Sequence, residues 1–375
     1  MTTKRLGIGF IGTGNISSAY LRAMTGHETM AGFPVLDIKG LADMRPEASQ
    51  ARAAEFGLKS MSIEAMLADP EIGLIVNLTI PRAHVEVGLR CLAAGKHVYS
   101  EKPLGINFAE GRTLLDAANK AGLRIGSAPD TFLGGSHQQA RAVVDSGALG
   151  QLVGGTAFMQ APGHEAWHPD PAFYYDIGGG PVLDMGPYYI TDLVNLLGPV
   201  ARVSAMASRL RLQRPVLSEP KKGQIMDVHV DTHVTGALGF ANGAIVQVAM
   251  SFDVAGHKHV PLELYGTEAS LIVPDPNFFG GDVEMKKRGR DEPWTPVPVT
   301  APYADGNYRS LGVADMALGI LDNRPHRANG DLALHVLEVM EAFETASREG
   351  RTIDIKTPVE RPAPLATSLK DGVLA

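Results

Sequence analysis

At 375 residues the chain is too long for one typical domain and about right for two, with 45 % hydrophobic and 20 % charged residues, the balance of an ordinary soluble globular protein. A formal charge of −7 argues against partnership with nucleic acid or anionic membranes, and no run reaches the ~20 apolar residues that a membrane span needs. One cysteine, Cys91, excludes an intramolecular disulfide framework, and glycines 7, 9, 12 and 14 make the first apolar run a poor signal-peptide core, so the cytoplasm is the expected location.

Strand-like and helix-like segments alternate over residues 1–127, which predicts α/β architecture: a Rossmann-type parallel sheet with helices on both faces. Residues 6–11 read as the first strand and 15–24 as the first helix. A strand at 35–42 and a helix at 46–56 follow, then a short helix capped by Ser62. The near-continuous apolar run 72–78 suits a buried strand. A helix at 84–94, a strand ending at Tyr99, a helix at 107–121 and a strand at 123–127 complete the unit. Residues 128–375 have a different texture and predict an α+β domain with a large, mostly antiparallel open sheet. A helix at 136–146 precedes strand runs at 152–160, 200–212, 229–240, 244–252, 262–265, 270–273 and 283–287. Asn242-Gly243 marks a hairpin between two of them. An amphipathic helix at 331–349 and an extended proline-rich strap at 358–364 close the chain.

Gly12-Thr13-Gly14-Asn15-Ile16-Ser17 joins the first strand to the first helix. Glycines there allow a tight turn and close approach of a pyrophosphate, whose charge rests on the amides opening the helix. Gly12, Gly14, Asn15 and Ile16 are therefore candidate cofactor contacts. Asp43, at the end of the second strand, suits an adenosine ribose and disfavours a 2′-phosphate; the loop 26–34 accounts for its long interval from Gly14. Arg45 keeps NADP open, with NAD preferred. The segment Asn77-Leu78-Thr79-Ile80-Pro81, with His84 beyond, would lie over the sheet edge near the cofactor. Thr79, Pro81 and His84 are candidates there, although turn chemistry and a helix start explain them equally well.

Glu101-Lys102-Pro103 follows the fourth strand, and Asp184-Met185-Gly186 comes later. Together with the glycine turn, these segments resemble the glucose–fructose oxidoreductase / inositol dehydrogenase / MocA family over nearly the whole chain, including Ala128–Gly135. The resemblance implies that Lys102, with Glu101 beside it, stands at the nicotinamide and the reacting carbon, often with a cis bond to Pro103. Burial beside a cofactor is expected to disfavour the ammonium form and let Lys102 exchange a proton near neutral pH. Family members usually carry a histidine two residues after the glycine; here that position is Tyr188. Asp184 and Tyr188 join Lys102 as candidate catalytic groups, Asp184 alternatively capping a helix that starts at Pro187.

The segment 164–176 is polar and aromatic, which suits a polyhydroxylated ring: Trp167, His168, Tyr174 and Asp176 are candidate substrate contacts, with Asp130 as a further one. No metal is expected, because Pro162 and Pro169 argue against a helix presenting both His164 and His168. The implied activity is hydride transfer between NAD and a secondary hydroxyl or ketone of a sugar, inositol or related polyol. The alternatives are a lyase or glycoside-cleaving enzyme using held NAD for transient oxidation, and a non-catalytic NAD-binding sensor. Family analogy adds a homodimer or homotetramer.

Overall fold

The computed structural model describes residues 4–26, 32–370 and 372–374; residues 27–31 of the 26–34 loop lie outside the described residues. The first sheet contains β1 (Leu6–Ile11), β2 (Leu36–Ala42), β3 (Leu74–Asn77), β4 (His97–Ser100) and β5 (Ile125–Ser127). Its order is β2-β1-β3-β4-β5, and every pairing is parallel. Between them run α1 (Asn15–Thr25), α2 (Pro46–Phe56), α3 (Ile63–Ala68), α4 (His84–Ala93) and α5 (Phe108–Ala121). Ile8, Phe10, Leu74, Ile75, Val76 and Val98 are fully buried, as strands covered on both faces require. The strand order reverses between β1 and β3, so their carboxyl ends open a crevice where ligands of such sheets bind.

In the second half, α6 (Gly135–Asp145), β6 (Leu152–Gln160) and α7 (Pro181–Leu197) precede β7 (Val200–Ser208), β8 (Gln213–Pro215), β9 (Ile225–Asp227), β10 (His233–Phe240) and β11 (Ile245–Ser251). Then come β12 (Leu262–Gly266), β13 (Ala269–Val273), β14 (Glu284–Lys287), β15 (Trp294–Pro296), α8 (Leu311–Leu321), α9 (Gly330–Glu349) and β16 (Ile353–Asp354). The nine-stranded order is β15-β14-β13-β12-β6-β11-β10-β7-β16, antiparallel throughout except for the β6–β11 pair. Helices α7 and α9 cover one face; Met206 and Ile245 are exposed. Both α8 and α9 also reach back to β5, where Ser127 N donates to Ala328 O, so the end of the chain ties the sheets together.

Three boundaries depart most from the sequence expectation. The run 200–212 ends as a strand at Ser208, and 229–240 begins as one at His233, because His229 N is taken by Tyr175 O outside the sheet. Helix α7 begins at Pro181, not Pro187, so Asp184 lies in its first turn rather than capping it. Pro187 sits inside, where it offers no N–H to Leu183 O and its ring crowds that carbonyl. The strap at 358–364 is extended: Arg361 donates to Asn195 O and Leu196 O, and Pro362 O accepts from Arg141.

Candidate active site

At the end of β1, Gly12 has φ +100°, and a Cβ on it would stand 2.6 Å from the Leu78 carbonyl carbon, so only glycine fits between the two strand ends. Gly14 differs: a Cβ there would meet nothing within 4 Å. It is the N-cap of α1, with no side chain capping the helix, and Ser17 Oγ turns back to donate to Gly14 O at 2.7 Å. The first amides of α1, at Asn15 and Ile16, thus open onto a space free of side chain, the cradle a pyrophosphate needs. Asp43 braces this turn: one carboxylate oxygen accepts from Thr13 N (2.8 Å) and Thr13 Oγ1 (2.9 Å), the other from Arg45 N (3.0 Å). Burial opposes ionisation, but these donors hold its pKa below the usual carboxylate value. The Arg45 side chain is exposed, and Arg52, which the sequence did not single out, reaches 3.5 Å from Gly14 O.

Beyond β3, Asn77 Oδ1 accepts from Thr79 Oγ1 at 2.7 Å, and Pro81 opens a single 3₁₀ turn. His84 is completely buried, with Nδ1 2.8 Å from Pro103 O and Nε2 2.9 Å from Thr79 O. Burial holds it below the ordinary imidazole pKa, and the neutral ring donates to one of these carbonyls. His84 therefore joins the Thr79 loop to the Lys102-Pro103 segment from beneath instead of reaching up to a cofactor, the helix-start alternative.

Glu101 is buried and accepts from Tyr20 Oη at 2.7 Å and from Lys102 N at 3.0 Å. The Lys102–Pro103 peptide is cis. Across the cleft, Lys102 Nζ donates to Asp184 O at 2.7 Å and to Asp184 Oδ1 at 2.8 Å, and lies 5.2 Å from the centre of the Tyr188 ring. Burial pulls the lysine pKa down, but the charge of Asp184, reinforced by Tyr188 and Glu101, outweighs it and holds the pKa above the ordinary value. This reverses the expected direction: an ion pair, not desolvation, sets the state of Lys102. Burial likewise works against the Asp184 carboxylate, yet Lys102 and His164 bring it down to about 2.

His164 is the residue that sequence reasoning left unassigned. Its Nε2 stands 3.3 Å from Asp184 Oδ2, while its ring packs at 3.9 Å from Tyr174 and 4.5 Å from Phe252. The loop is held from below: fully buried Arg214 pairs with Glu165 at 2.5 Å and with Asp253, and Tyr175 Oη donates to Glu165. Lys102, Asp184 and His164 thus form one continuous polar line. Tyr188 presents its ring to Lys102, and its hydroxyl lies 3.5 Å from Arg309, a second residue the sequence did not reveal.

The remaining candidates divide. Tyr174 borders the line, with burial and the Asp184 charge pushing its phenol up to about 12. His168 packs edge-on against Trp167, Phe173 and Tyr174, and Trp167 is 61 % exposed at the outer rim. Asp176 is engaged by Arg82 at 2.7 Å and by Ile177 N, so it struts the aromatic loop against the first sheet. Asp130 is 1 % exposed and accepts from Ser310 N and Gly312 N, both at 2.9 Å. It holds the entrance to α8 and does not face the cleft.

Residues 6–128 match the model of the oxidoreductase family with an NAD-binding Rossmann fold, and residues 137–272 match the C-terminal domain of the same Gfo/Idh/MocA family. The chain belongs to that family. It is 26 % identical over 298 residues to a levoglucosan dehydrogenase of Pseudarthrobacter phenanthrenivorans, covering 72 % of this chain and 73 % of the relative. A 1,5-anhydro-D-fructose reductase of Ensifer adhaerens is 27 % identical over 243 residues, 63 % of this chain and 68 % of the relative. Among solved structures, a levoglucosan dehydrogenase in complex with NADH and L-sorbose superposes with a TM-score of 0.81 at 20 % identity, covering 95 % of this chain and all of that one, which shows the shared fold. The protein is thus an oxidoreductase of the Gfo/Idh/MocA family with an NAD-binding Rossmann half. No helix among the described residues is long and apolar enough to cross a membrane.

Proposed function

We propose that this family member oxidises a secondary hydroxyl, or reduces the matching ketone, of a sugar, anhydrosugar or related polyol. The observation that carries the reading is the Lys102–Asp184–His164 line across the cleft beside the NAD-binding turn. NAD, when bound, accepts or supplies the hydride. Gly12 and Gly14 with the amides of Asn15 and Ile16 would hold its pyrophosphate, and Asp43 its adenosine ribose.

Lys102, kept as ammonium by Asp184, donates to the substrate oxygen and neutralises charge developing there. In the reductive direction it gives up its proton to that oxygen and is reprotonated from solvent; in the oxidative direction the ammonium first loses its proton to solvent, and the neutral amine then accepts the hydroxyl proton. Asp184 holds Lys102 with one oxygen and His164 with the other, so His164 lies one group away from the proton being moved. On this reading His164 takes the function that the family resemblance gives to the position of Tyr188. The ring faces of Tyr174 and Trp167 offer apolar surface to sugar C–H groups. Names of the two curated relatives support a sugar or anhydrosugar as substrate.

The test is a panel of aldoses, inositols and anhydrosugars with NAD and with NADP, followed by absorbance of the reduced nicotinamide. Accumulating NADH with one class supports the reading. Substrate consumption with the cofactor returned to NAD in each cycle indicates transient oxidation by a lyase. The exposed face of the large sheet, with Met206 and Ile245, is where we expect a second copy to pack, and sedimentation measures that state.

A further inference from the structure

Arg309 reaches the Tyr188 side of the cleft without an acidic hydrogen-bond or ion-pair partner among the described residues. Its hydrogen-bond partners are neutral: Asn307 Oδ1 at 3.0 Å, Asn277 Oδ1 at 3.0 Å, Asn277 O at 3.4 Å and Tyr188 Oη at 3.5 Å. The guanidinium carbon lies 5.9 Å from the centre of the Tyr188 ring, the ring that Lys102 also touches. Other buried arginines are neutralised: Arg214 by Glu165 and Asp253, Arg141 by Asp145. The acidic groups that influence Arg309 through space, Glu101 and Asp130, are turned to other donors, and Asp275 accepts from Asn277 N and Tyr189 Oη.

The backbone beside Arg309 is built to hold it there. Ser310 has φ +128°, a conformation that a side chain rarely adopts, and it is completely buried. Asp130 takes the amides of Ser310 and Gly312, while Ser310 Oγ donates to Tyr20 O at 2.9 Å. A strained turn fixed by three hydrogen bonds thus delivers to the cleft a cation that has no acidic partner among the described residues.

We propose that Arg309 binds a carboxylate on the substrate, so that the preferred substrates are sugar acids, uronates or aldonates, over the neutral parent sugars. This rests on reading the cleft as a sugar site. A guanidinium fork matches a carboxylate in geometry, and a charge-assisted pair inside a cleft outweighs the hydroxyl contacts that a neutral sugar makes in its place. Cofactor phosphates have their own cradle at Gly14 and the start of α1.

The experiment is calorimetric titration of the NADH-loaded protein with galacturonate against galactose, glucuronate against glucose, and a hexose phosphate. The acids are expected to bind roughly 10- to 100-fold tighter than their parents. In Arg309→Gln that ratio falls toward one, and Arg309→Lys retains part of it. Equal or weaker binding of the acids by the wild-type protein overturns the proposal. A hexose phosphate preferred over both acids overturns the carboxylate assignment. Loss of NADH affinity in Arg309→Gln, with the acid-to-neutral ratio unchanged, assigns the arginine to the cofactor and also overturns it. Acid-selective binding with no NAD reduction by any sugar leaves the subsite standing and removes the proposed reaction, so the two failures are distinct.

Discussion

Replacing Lys102 by methionine keeps the stem and removes the ammonium that holds Asp184 and, in the proposed reaction, meets the reacting oxygen. A positioned proton carrier contributes about 10²–10⁴-fold in rate, or roughly 3–5 kcal/mol of barrier at about 1.4 kcal/mol per decade. The fall should be in kcat, because among the described residues no hydrogen bond or ion pair joins Lys102 to the proposed cofactor cradle at Gly12–Ile16 and Asp43. A second consequence falls on Asp184. Its pKa is depressed from 3.8 to about 2 by Lys102 and His164 against the opposing effect of burial, an interaction of order 2 kcal/mol. A depressed carboxylate pKa stabilises the fold above the unfolded value near 4, and that stability is lost as pH falls through about 2. In the methionine variant Asp184 titrates closer to its ordinary value, so that acid-side loss shrinks, while the buried carboxylate, left with His164 alone, lowers stability at neutral pH. Steady-state rates, NADH binding by fluorescence, and denaturant unfolding from neutral to acid pH read the three quantities. Near wild-type kcat, or a rate loss matched by lost NADH affinity, refutes the proton-carrier role.

Other positions test separate links. His164→Gln should lower kcat by about 10–100-fold and alter the pH–rate profile, whereas Tyr188→Phe, whose ring still packs on Lys102, should change that profile little; the reverse order would return the acid–base role to Tyr188. Burial raises Asp130 to about 6, against the pull of its two amide donors, so its folded form binds the extra proton between about pH 4 and about pH 6. Stability from this group therefore declines as pH rises through that window by about 2–3 kcal/mol, and Asp130→Asn should flatten the decline in denaturant unfolding. Gly12→Ala must accommodate a Cβ 2.6 Å from Leu78 at a positive φ, and should cost at least ~1–2 kcal/mol together with NAD affinity, read by unfolding and cofactor titration.

Local signals carried much of the first half of the molecule. Glycines, caps and apolar runs set β1, α2 and α5 close to their observed bounds, and the turn at Gly12 is a matter of spacing alone. Elements shaped by tertiary context were harder. Helix α8 was missed because its sequence, LGVADMALGIL, is apolar almost all round and buried, so it carries no amphipathic period. Pro187 resembled a helix start, yet Pro181 after Gly180 already supplies one. The parallel β6–β11 pair joins segments far apart in the chain, which no local pattern encodes.

The site shows the same division. Lys102 and Asp184 stand in short motifs, and the family resemblance of those motifs groups them as catalytic candidates. His164 lies in an irregular loop whose position depends on Arg214, Glu165 and Asp253, three residues from separate segments. Arg309 depends on the positive φ of Ser310 and on Asp130. Asp130 itself was singled out for the right neighbourhood and the wrong contact, since proximity to β5 is legible and the direction of a carboxylate is not. Desolvation of Lys102 was anticipated; the opposing charge at 2.8 Å, which decides its protonation, was a distance the sequence does not contain.

Deuterium tracing tests the central claim most directly. The protein, NAD and a sugar deuterated at one carbinol carbon at a time would be incubated, and the nicotinamide analysed by mass spectrometry. The account predicts deuterium on the reduced nicotinamide from a single secondary carbon, accumulating in proportion to ketone formed. Sugar altered without label retained in reduced cofactor, or no label from any position of a sugar that binds, contradicts it.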